Sequence, residues 1–132
     1  MFPGLNRAMY QFLLSQSAIN TLIGNRAFVG AAPINTQRPY IVYYMPNTQP
    51  TNDTPSQAVT AMWRIEARSD NYKQAEDLSG AIYNVCNQGV LSVTGWTSFW
   101  MSCDGLQQFS DDLEGRTIHR FSWDVMVELS KD

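Results

Sequence analysis

The sequence has 132 residues, the length of one domain, and we expect a single domain over residues 1–132. Charged residues make up 16% of the chain, the formal net charge is −3 and the sequence pI is about 5.0. The nine Lys and Arg residues are scattered along the chain, which argues against a protein that binds nucleic acid through a basic patch.

The cysteines and the apolar segments indicate the cellular compartment in which the protein folds. Cys86 and Cys103 do not have the spacing of metal ligands, so we expect two half-buried thiols in a reducing compartment. The first residues lack the composition of a signal peptide, and no apolar run approaches the ~20 residues of a membrane span. We therefore expect a protein that is made and kept in solution in a cytoplasm, with no membrane partner.

The first third of the chain predicts two helices and a short strand. Apolar residues of the first helix recur with helical spacing: Leu5, Met9, Phe12 and Leu13. Ser17 is predicted to cap a second helix, and Gly24 follows where a left-handed C-cap residue is expected. A short strand is predicted at 27–29, and the segment GAAP at 30–33 ends it.

Two strands and a long polar connection are predicted next. The first strand covers 40–45, and the second covers 58–68 because apolar and polar residues alternate there. One side of the second strand is predicted to face the core: Val59, Ala61, Trp63, Ile65 and Ala67. The connection at 47–57 is rich in Asn, Thr and Pro and is longer than the roughly two to five residues of a hairpin loop.

The next part of the chain predicts one long helix followed by extended segments. Asn71 and Gln74 form a capping-box pair at its start, and helical spacing continues to about residue 87. Residues 90–103 are predicted to be extended, and 104–115 is predicted to be an acidic turn region.

The last predicted strand, 117–129, has the strongest alternation. Its predicted core side carries Phe121, Trp123, Val125, Val127 and Leu129. The order of elements predicts an α+β fold of two layers. A mainly antiparallel sheet of about four or five strands forms one layer, with the long helix and the N-terminal helices packed on it.

No recognised catalytic or cofactor-binding motif occurs, so we expect no enzyme, no cofactor and no metal ion. His119 has no orienting carboxylate beside it in sequence, which favours a surface or structural histidine. Four acidic residues lie close together without the spacing of an EF-hand: Asp104, Asp111, Asp112 and Glu114. This spacing favours a solvated acidic loop over a site for a divalent cation.

The aromatic residues fall into two groups. Three lie on the apolar sides of predicted strands, which favours core packing over stacking on nucleic-acid bases: Trp63, Phe121 and Trp123. Three others fit either the core or the anchors of a protein interface: Trp96, Phe99 and Trp100.

The first third of the chain contains the segment FLLSQSAINTLIGNRAFVGAAPINTQRPYIVYYM. Over most of its length the chain resembles the phage tail completion, or tail terminator, family of siphophage-type head–tail joining, whose opening is similar to this segment. It includes a Leu-hydrophobic-Gly turn at Leu22-Ile23-Gly24 and a Pro-Tyr-hydrophobic-hydrophobic strand at Pro39-Tyr40-Ile41-Val42. A later segment is similar to the family's strand that runs into its long helix: AMWRIEARSDNYKQAEDLSGAIYNVC. The closing segment is similar to its last strand: HRFSWDVMVEL.

The resemblance implies a virion protein at the tail–head junction, assembled in the host cytoplasm and without enzymatic activity. It implies a ring of about six copies that caps the tail tube and meets the head–tail connector proteins. DNA would pass through the ring without sequence-specific binding. For the interfaces we select residues of the polar connection, the aromatic segment and the acidic region: Asn47, Thr48, Gln49, Thr51, Asn52, Asp53, Thr54, Gln57, Phe99, Trp100, Asp111 and Asp112.

Two other functions remain open from the residues alone. One is an adaptor that binds a single protein as a monomer. The other is a small α+β enzyme whose site is assembled from scattered residues such as His119, Asp111 and Arg120.

Overall fold

The computed structural model describes residues 4–51, 58–113 and 115–132, with the backbone alone considered at 47–51 and 113. Over these residues the chain forms three helices and five strands: α1 (Leu5–Ser15), α2 (Ser17–Ile23), β1 (Ala27–Val29), β2 (Tyr40–Thr51), β3 (Ala58–Ser69), α3 (Tyr72–Cys86), β4 (Trp96–Leu113) and β5 (Arg116–Lys131). No helix in these ranges is long and apolar enough to cross a membrane.

The described strands form one sheet in the order β1-β2-β3-β5-β4. β1 is parallel to β2, and the other neighbouring strands are antiparallel. β3 and β5 lie in the middle and pair without interruption from Ala58↔Ser130 to Ser69↔His119. The predicted α+β class with a mainly antiparallel sheet is therefore confirmed.

The helices cover one face of the sheet, and the core lies between the two layers. The buried strand residues are those that the alternation predicts: Val59, Ala61, Trp63, Ile65, Ala67, Phe121, Val125, Val127 and Leu129. Trp123 is partly buried and packs against this core. The helices contribute their apolar sides: Leu5, Met9, Phe12, Leu13, Ala75, Leu78 and Ile82. Removing this apolar surface from water is the main stabilising contribution to such a two-layer fold.

A short hydrogen-bonded turn joins β3 to α3. The predicted cap is confirmed for Asn71, whose Oδ1 accepts a hydrogen bond from the N–H of Gln74 at 3.1 Å. The reciprocal half of the capping box is wrong, because Gln74 Oε1 accepts a hydrogen bond from Ser69 Oγ at 2.9 Å instead. Ser69 Oγ accepts from the N–H of Asn71 at 3.1 Å, so Ser69 takes the place that Gln74 was expected to fill.

The start of α2 differs from the prediction. Ser17 is the first helical residue, and Gln16 is the N-cap without a side-chain capping hydrogen bond. Because α1 ends at Ser15, only Gln16 lies between the two helices. Ser17 is inside α2 and therefore cannot be its N-cap, which must precede the helix. Gly24 has the positive φ of 62° expected after a helix, although its ψ of −116° lies outside the left-handed helical region.

The prediction of a long polar connection at 47–57 is wrong for the first half of that range. β2 continues to Thr51, and Asn47–Thr51 pairs with β3 after a register shift between Tyr44 and Asn47. Pro46, which cannot donate to a ladder, lies in this shift. Pairing with β3 determines the structure of these residues despite their loop-like composition. Thr, which is enriched in strands, is compatible with this pairing. The residues that connect β2 and β3 are then 52–57, which lie outside the described part of the chain.

The acidic turn predicted at 104–115 is also wrong, because β4 runs to Leu113 and β5 begins at Arg116. Leu113 pairs with Arg116, so two residues connect the strands, and Gly115 has the positive φ of 77° that such tight turns favour. The polar composition of 104–112 instead reflects an edge strand whose residues are exposed. At its other end, β4 begins at Trp96, several residues after the predicted start.

Candidate interaction surfaces

The two long hairpins of the sheet point in opposite directions. β2 and β3 are connected beyond the pair Thr51↔Ala58, whereas β4 and β5 are connected beyond the pair Leu113↔Arg116. β3 alone spans about 36 Å at the usual rise of a strand, so the two connections lie at opposite ends of the molecule. We call them the 51–58 end and the 113–116 end.

The sheet brings two of the three predicted interface segments to the 51–58 end. One row of paired residues runs across four strands: Gln49, Thr60, Glu128 and Trp100. Asn47, Thr48, Gln49 and Thr51 therefore lie in the ladder of β2, level with the aromatic segment on β4. Four further predicted interface residues lie outside the described residues: Asn52, Asp53, Thr54 and Gln57.

Phe99 and Trp100 lie on the surface rather than in the core. Phe99 is 63% exposed and occupies a bulge of β4, and Trp100 is 43% exposed. Trp100 Nε1 donates a hydrogen bond to Glu128 Oε2 on β5, which holds the indole against the sheet. Trp96, by contrast, is partly buried and packs against the core. The pair Phe99 and Trp100 therefore has the exposure that an interface anchor needs.

The predicted acidic residues Asp111 and Asp112 lie near the 113–116 end, far from the aromatic pair. Asp111 Oδ2 is 2.6 Å from Nε of Arg120 on β5, and Asp112 Oδ1 accepts a hydrogen bond from Thr117 Oγ1 at 3.2 Å. Both side chains are exposed. The predicted interface residues thus form two separate groups, one at each end of the sheet.

A buried charge cluster on the open face of the sheet supports the 113–116 end. Glu66 is 3% exposed, and its Oε1 accepts from Arg68 at 2.7 Å and from Arg120 at 3.4 Å. The Arg120 guanidinium also lies over the Phe109 ring, 4.7 Å from its centroid, and pairs with Asp111. The cluster therefore joins β3, β5 and β4 through side chains of opposite charge. Sequence reasoning missed it, although the alternation of charge on the outer side of β3 was a signal.

A second charged pair lies in the middle of the same face. Arg64 Nε donates to Asp124 Oδ1 at 3.1 Å, and the guanidinium lies 5.9 Å from the centroid of the Tyr44 ring. Hydrogen bonds to the Tyr44 hydroxyl and to Asp124 raise the pKa of Arg64, so its guanidinium stays charged. Because both side chains are about one-third exposed, we expect the pair to fix side-chain geometry more than to add stability.

The scattered residues of the enzyme hypothesis do not meet at one site. Asp111 contacts Arg120 on the open face, whereas His119, the neighbour of Arg120 on β5, points to the opposite face. There His119 Nδ1 is 3.2 Å from Ser110 Oγ, and its ring lies edge-on to Tyr72 at 5.3 Å. Adjacent residues of a strand alternate between faces, which keeps His119 apart from Asp111 and Arg120.

Metal-ligating side chains and reactive thiols would define two further kinds of site. Within the described ranges, no group of three or more His, Cys, Asp or Glu side chains is arranged to hold a metal ion. Burial raises the pKa of both thiols, that of Cys103 to about 12, with Asp104 and Asp124 adding to the effect. A thiol with so high a pKa is a poor nucleophile near neutral pH.

The fold is one that a virion component also has. A solved structure described as "Virion of native gene transfer agent (GTA) particle" contains a chain that matches with a TM-score of 0.77. The match covers 96% of this chain and 94% of that chain at 13% sequence identity. At this identity the likeness establishes the fold.

The sequence adds the family. A family model described as "Tail completion protein gp17" matches residues 7–97. The chain therefore belongs to the tail completion protein family and is a structural protein of a phage tail, located in the virion. The resemblance found in the sequence is confirmed, while its closing segment from His119 lies beyond the matched residues. A comparison with curated proteins gave no significant match.

Proposed function

We propose that the chain forms a ring of about six copies that caps the finished tail tube and joins it to the head–tail connector. The observation that carries this proposal is the placement of two distinct surface groups at opposite ends of one sheet. A ring between a tube and a connector needs a separate contact surface toward each of them. The 51–58 end, with Phe99 and Trp100, supplies one, and the 113–116 end, with Asp111 and Asp112, supplies the other.

The two ends differ in chemistry, which suits two different partners. Exposed aromatic side chains anchor protein interfaces by burying large apolar area. Asp112 near the other end has no cation among its described contacts and favours a partner with basic side chains. The rigid sheet between them fixes the distance between the two partners.

DNA passes through the proposed ring without being bound by sequence. The formal net charge is −3, and affinity for the phosphate backbone depends on Lys and Arg contacts. A ring with so few cations lets DNA move through it. The protein acts in this proposal through binding alone, without a catalytic step.

Complementation of a phage that lacks the protein tests the two-ended arrangement. We expect Trp100→Ser and the double variant Asp111→Asn/Asp112→Asn to fold like the parent, and each to abolish one of the two junctions. Electron microscopy then shows either tails without a regulated end or finished tails that are not attached to filled heads. Two-fold dimers or single copies at the tail ends of intact particles would contradict the ring.

A further inference from the structure

The outer edge of β4 has backbone groups that no described residue pairs with. At Met101 the carbonyl oxygen accepts a hydrogen bond from the N–H of Gln88 at 2.9 Å, which covers the edge there. Beyond that point, the described backbone hydrogen bonds of 103–112 go to β5 alone. An uncovered edge of this length is a ready surface for another chain.

A bulge in this edge presents an apolar side chain and a carboxylate together. The register shifts between Asp104 and Gln107, and Gly105 has a φ of 69° that a residue with a side chain rarely adopts. Leu106 is 48% exposed. Asp104 has neither a hydrogen bond nor an ion pair with any described residue, and it faces the like charge of Asp124 across the ladder.

The opposite edge of the sheet has complementary features. Between α1 and β1 lies an open groove of about 470 Å³, lined by Asn6, Arg7, Tyr10, Gln11, Val29 and Tyr43. Val29 is 53% exposed, so the floor of the groove includes free apolar surface. The exposed guanidinium of Arg7 forms no ion pair or hydrogen bond within the described part of the chain.

The bulge and the groove lie at the same level along the strands. Tyr43, in the groove, pairs with Ile65, which pairs with Trp123. The bulged residues 105 and 106 of β4 lie between the partners of Asp124 and Ser122, and therefore opposite Trp123. Copies in a closed ring are related by rotation without a shift along the axis, so surfaces that meet must lie at one height. If the two hairpin ends point along the ring axis, the bulge of one copy and the groove of the next lie at the same height along that axis.

We infer that neighbouring copies in the ring join edge to edge, with the Asp104–Leu106 bulge of one copy docked in the α1–β1 groove of the next. Leu106 buries its side chain against Val29, and Asp104 comes close to Arg7. The occupant is a second copy because the two unpaired charges are opposite in sign and lie on opposite edges of one molecule. This contact is head-to-tail: in each copy the β4 edge contacts one neighbour and the β1 edge contacts the other, as ring closure requires. The inference rests on the proposed ring and names its lateral contact.

Charge exchange tests the contact within assembled particles. We expect Arg7→Glu and Asp104→Arg each to remove the ring from tail ends, because each places like charges at the contact. The double variant Arg7→Glu/Asp104→Arg restores opposite charges, and we expect rings and infectivity to return. Glu76→Arg, on the exposed side of α3, makes the same change in net charge as Asp104→Arg and serves as the matched control. Thermal melting of each purified variant identifies any that fails to fold.

A cysteine pair gives a second readout that does not depend on charge. With Val29→Cys and Leu106→Cys in one chain, mild oxidation of assembled particles should give disulfide-linked oligomers up to the full ring on a non-reducing gel. Either single substitution should give no ladder. A cross-link to the tail tube protein in place of the ladder would overturn the inference.

The outcomes separate the inference from the proposed function. Rings that persist in both single charge variants would overturn the contact while leaving the ring itself intact. Parental particles without a ring at the tail end would overturn the proposed function, whatever the variants do.

Discussion

Trp63 is the largest fully buried side chain of the sheet, and it ties the two layers together. Its ring lies on the core side of β3, and its Nε1 donates a hydrogen bond to Asn6 Oδ1 on α1 at 3.0 Å. The Tyr43 hydroxyl, which donates to the Asn6 carbonyl at 3.3 Å, adds a second link to the same turn of the helix. A buried indole with its N–H satisfied contributes both apolar area and orientation.

Replacing Trp63 with Ala should therefore unfold much of the protein. Truncation of a buried aromatic side chain costs ~3–5 kcal/mol, out of a usual total of about 5–15 kcal/mol. Trp123, which is partly buried and donates to Ser79 Oγ and O at 3.0 Å, should lose less when changed to Ala. Urea unfolding followed by circular dichroism gives both free energies. A Trp63→Ala protein as stable as the parent would mean that the register assigned to β3 is wrong.

The buried thiol of Cys103 predicts how stability changes in alkaline solution. Burial raises its pKa from the ordinary value of 9.0 to about 12, so the folded protein keeps a proton that the unfolded chain releases. The unfolded state then binds fewer protons between about pH 9 and 12, and the free energy of unfolding falls as pH rises through this range. The pKa of Tyr43 is raised to about 12 by burial and acts in the same direction.

Urea unfolding at a series of pH values between 8 and about 11 measures this slope. We expect the slope to become shallower in Cys103→Ala, with the remainder due mainly to Tyr43 and Cys86. An identical slope in parent and variant would show that the Cys103 thiol has its ordinary pKa when folded.

At the scale of elements, the cluster around Glu66 holds three strands in register. Changing Glu66 to Gln leaves the shape of the side chain but removes the charge that Arg68 and Arg120 share. Breaking a buried ion pair from one side costs ~3–5 kcal/mol, because the remaining charges are left unpaired. We expect a loss of this order in the free energy of unfolding from urea titration.

The exposed pair of Lys73 and Asp77 on α3 provides the control for this prediction. An exposed i,i+4 pair contributes about 0.3–0.5 kcal/mol, so Asp77→Asn should change stability little. Equal losses in Glu66→Gln and Asp77→Asn would mean that the Glu66 cluster is hydrated and carries no special role.

The 51–58 end gives a prediction about an element rather than a residue. Thr51 and Ala58 face each other across the ladder, which is the geometry that a two-residue Asn-Gly turn closes. Replacing 52–57 with Asn-Gly should leave the melting temperature within a few degrees of the parent, since loop closure depends only weakly on length. We expect the same change to abolish assembly, because it removes the polar residues 52–57 that were selected in part as interface residues.

A same-length replacement separates length from side-chain chemistry. Residues 52–57 exchanged for six Gly and Ser residues keep the reach of the connection but remove its own side chains. Infectivity and electron microscopy report function for both variants. Parental titre with the Asn-Gly turn would show that this connection is passive.

The periodicity of apolar residues correctly predicted the helices and strands that bury one side. Composition gave the wrong prediction where pairing between strands determines the structure. The alternation in β3 and β5 and the helical spacing in α1 identified the core correctly, because burial of one face leaves a pattern in the sequence. Asn47–Thr51 and 104–112 carry turn-like composition but are held as strands by partners distant in the sequence. Such long-range pairing leaves no local signal.

For the candidate surfaces, sequence reasoning identified segments but not their arrangement. Phe99 and Trp100 were selected as aromatic residues that fit an interface, and the structure places both on the surface. Their separation from Asp111 and Asp112 by the length of the sheet depends on strand order, which no motif encodes. The groove beside α1 was missed because its lining comes from three separate elements.

At the scale of the whole molecule, the proposed ring predicts a defined copy number at the tail end. Averaged images of tail ends should show a ring of one fixed symmetry, on the order of six-fold. A monomer in dilute solution is compatible with this, since the tube end can supply the template for assembly. Native mass spectrometry of the purified protein, set beside the images, separates assembly in solution from assembly on the tube. Copy numbers that vary from particle to particle would contradict a closed ring.

The strand order also governs how the chain folds as it is synthesised. β3 is made before α3 and β4, but its inner neighbour β5 follows all of them. Until β5 leaves the ribosome, one edge of β3 lacks its partner and the pocket around Trp63 lacks Val125 and Val127. Because domains fold as units and unpaired strand edges are prone to aggregate, we expect the nascent chain to be most prone to aggregation during this interval. The β4 edge, which pairs with β5, is therefore completed last, which keeps unfinished chains from joining an assembly through this edge.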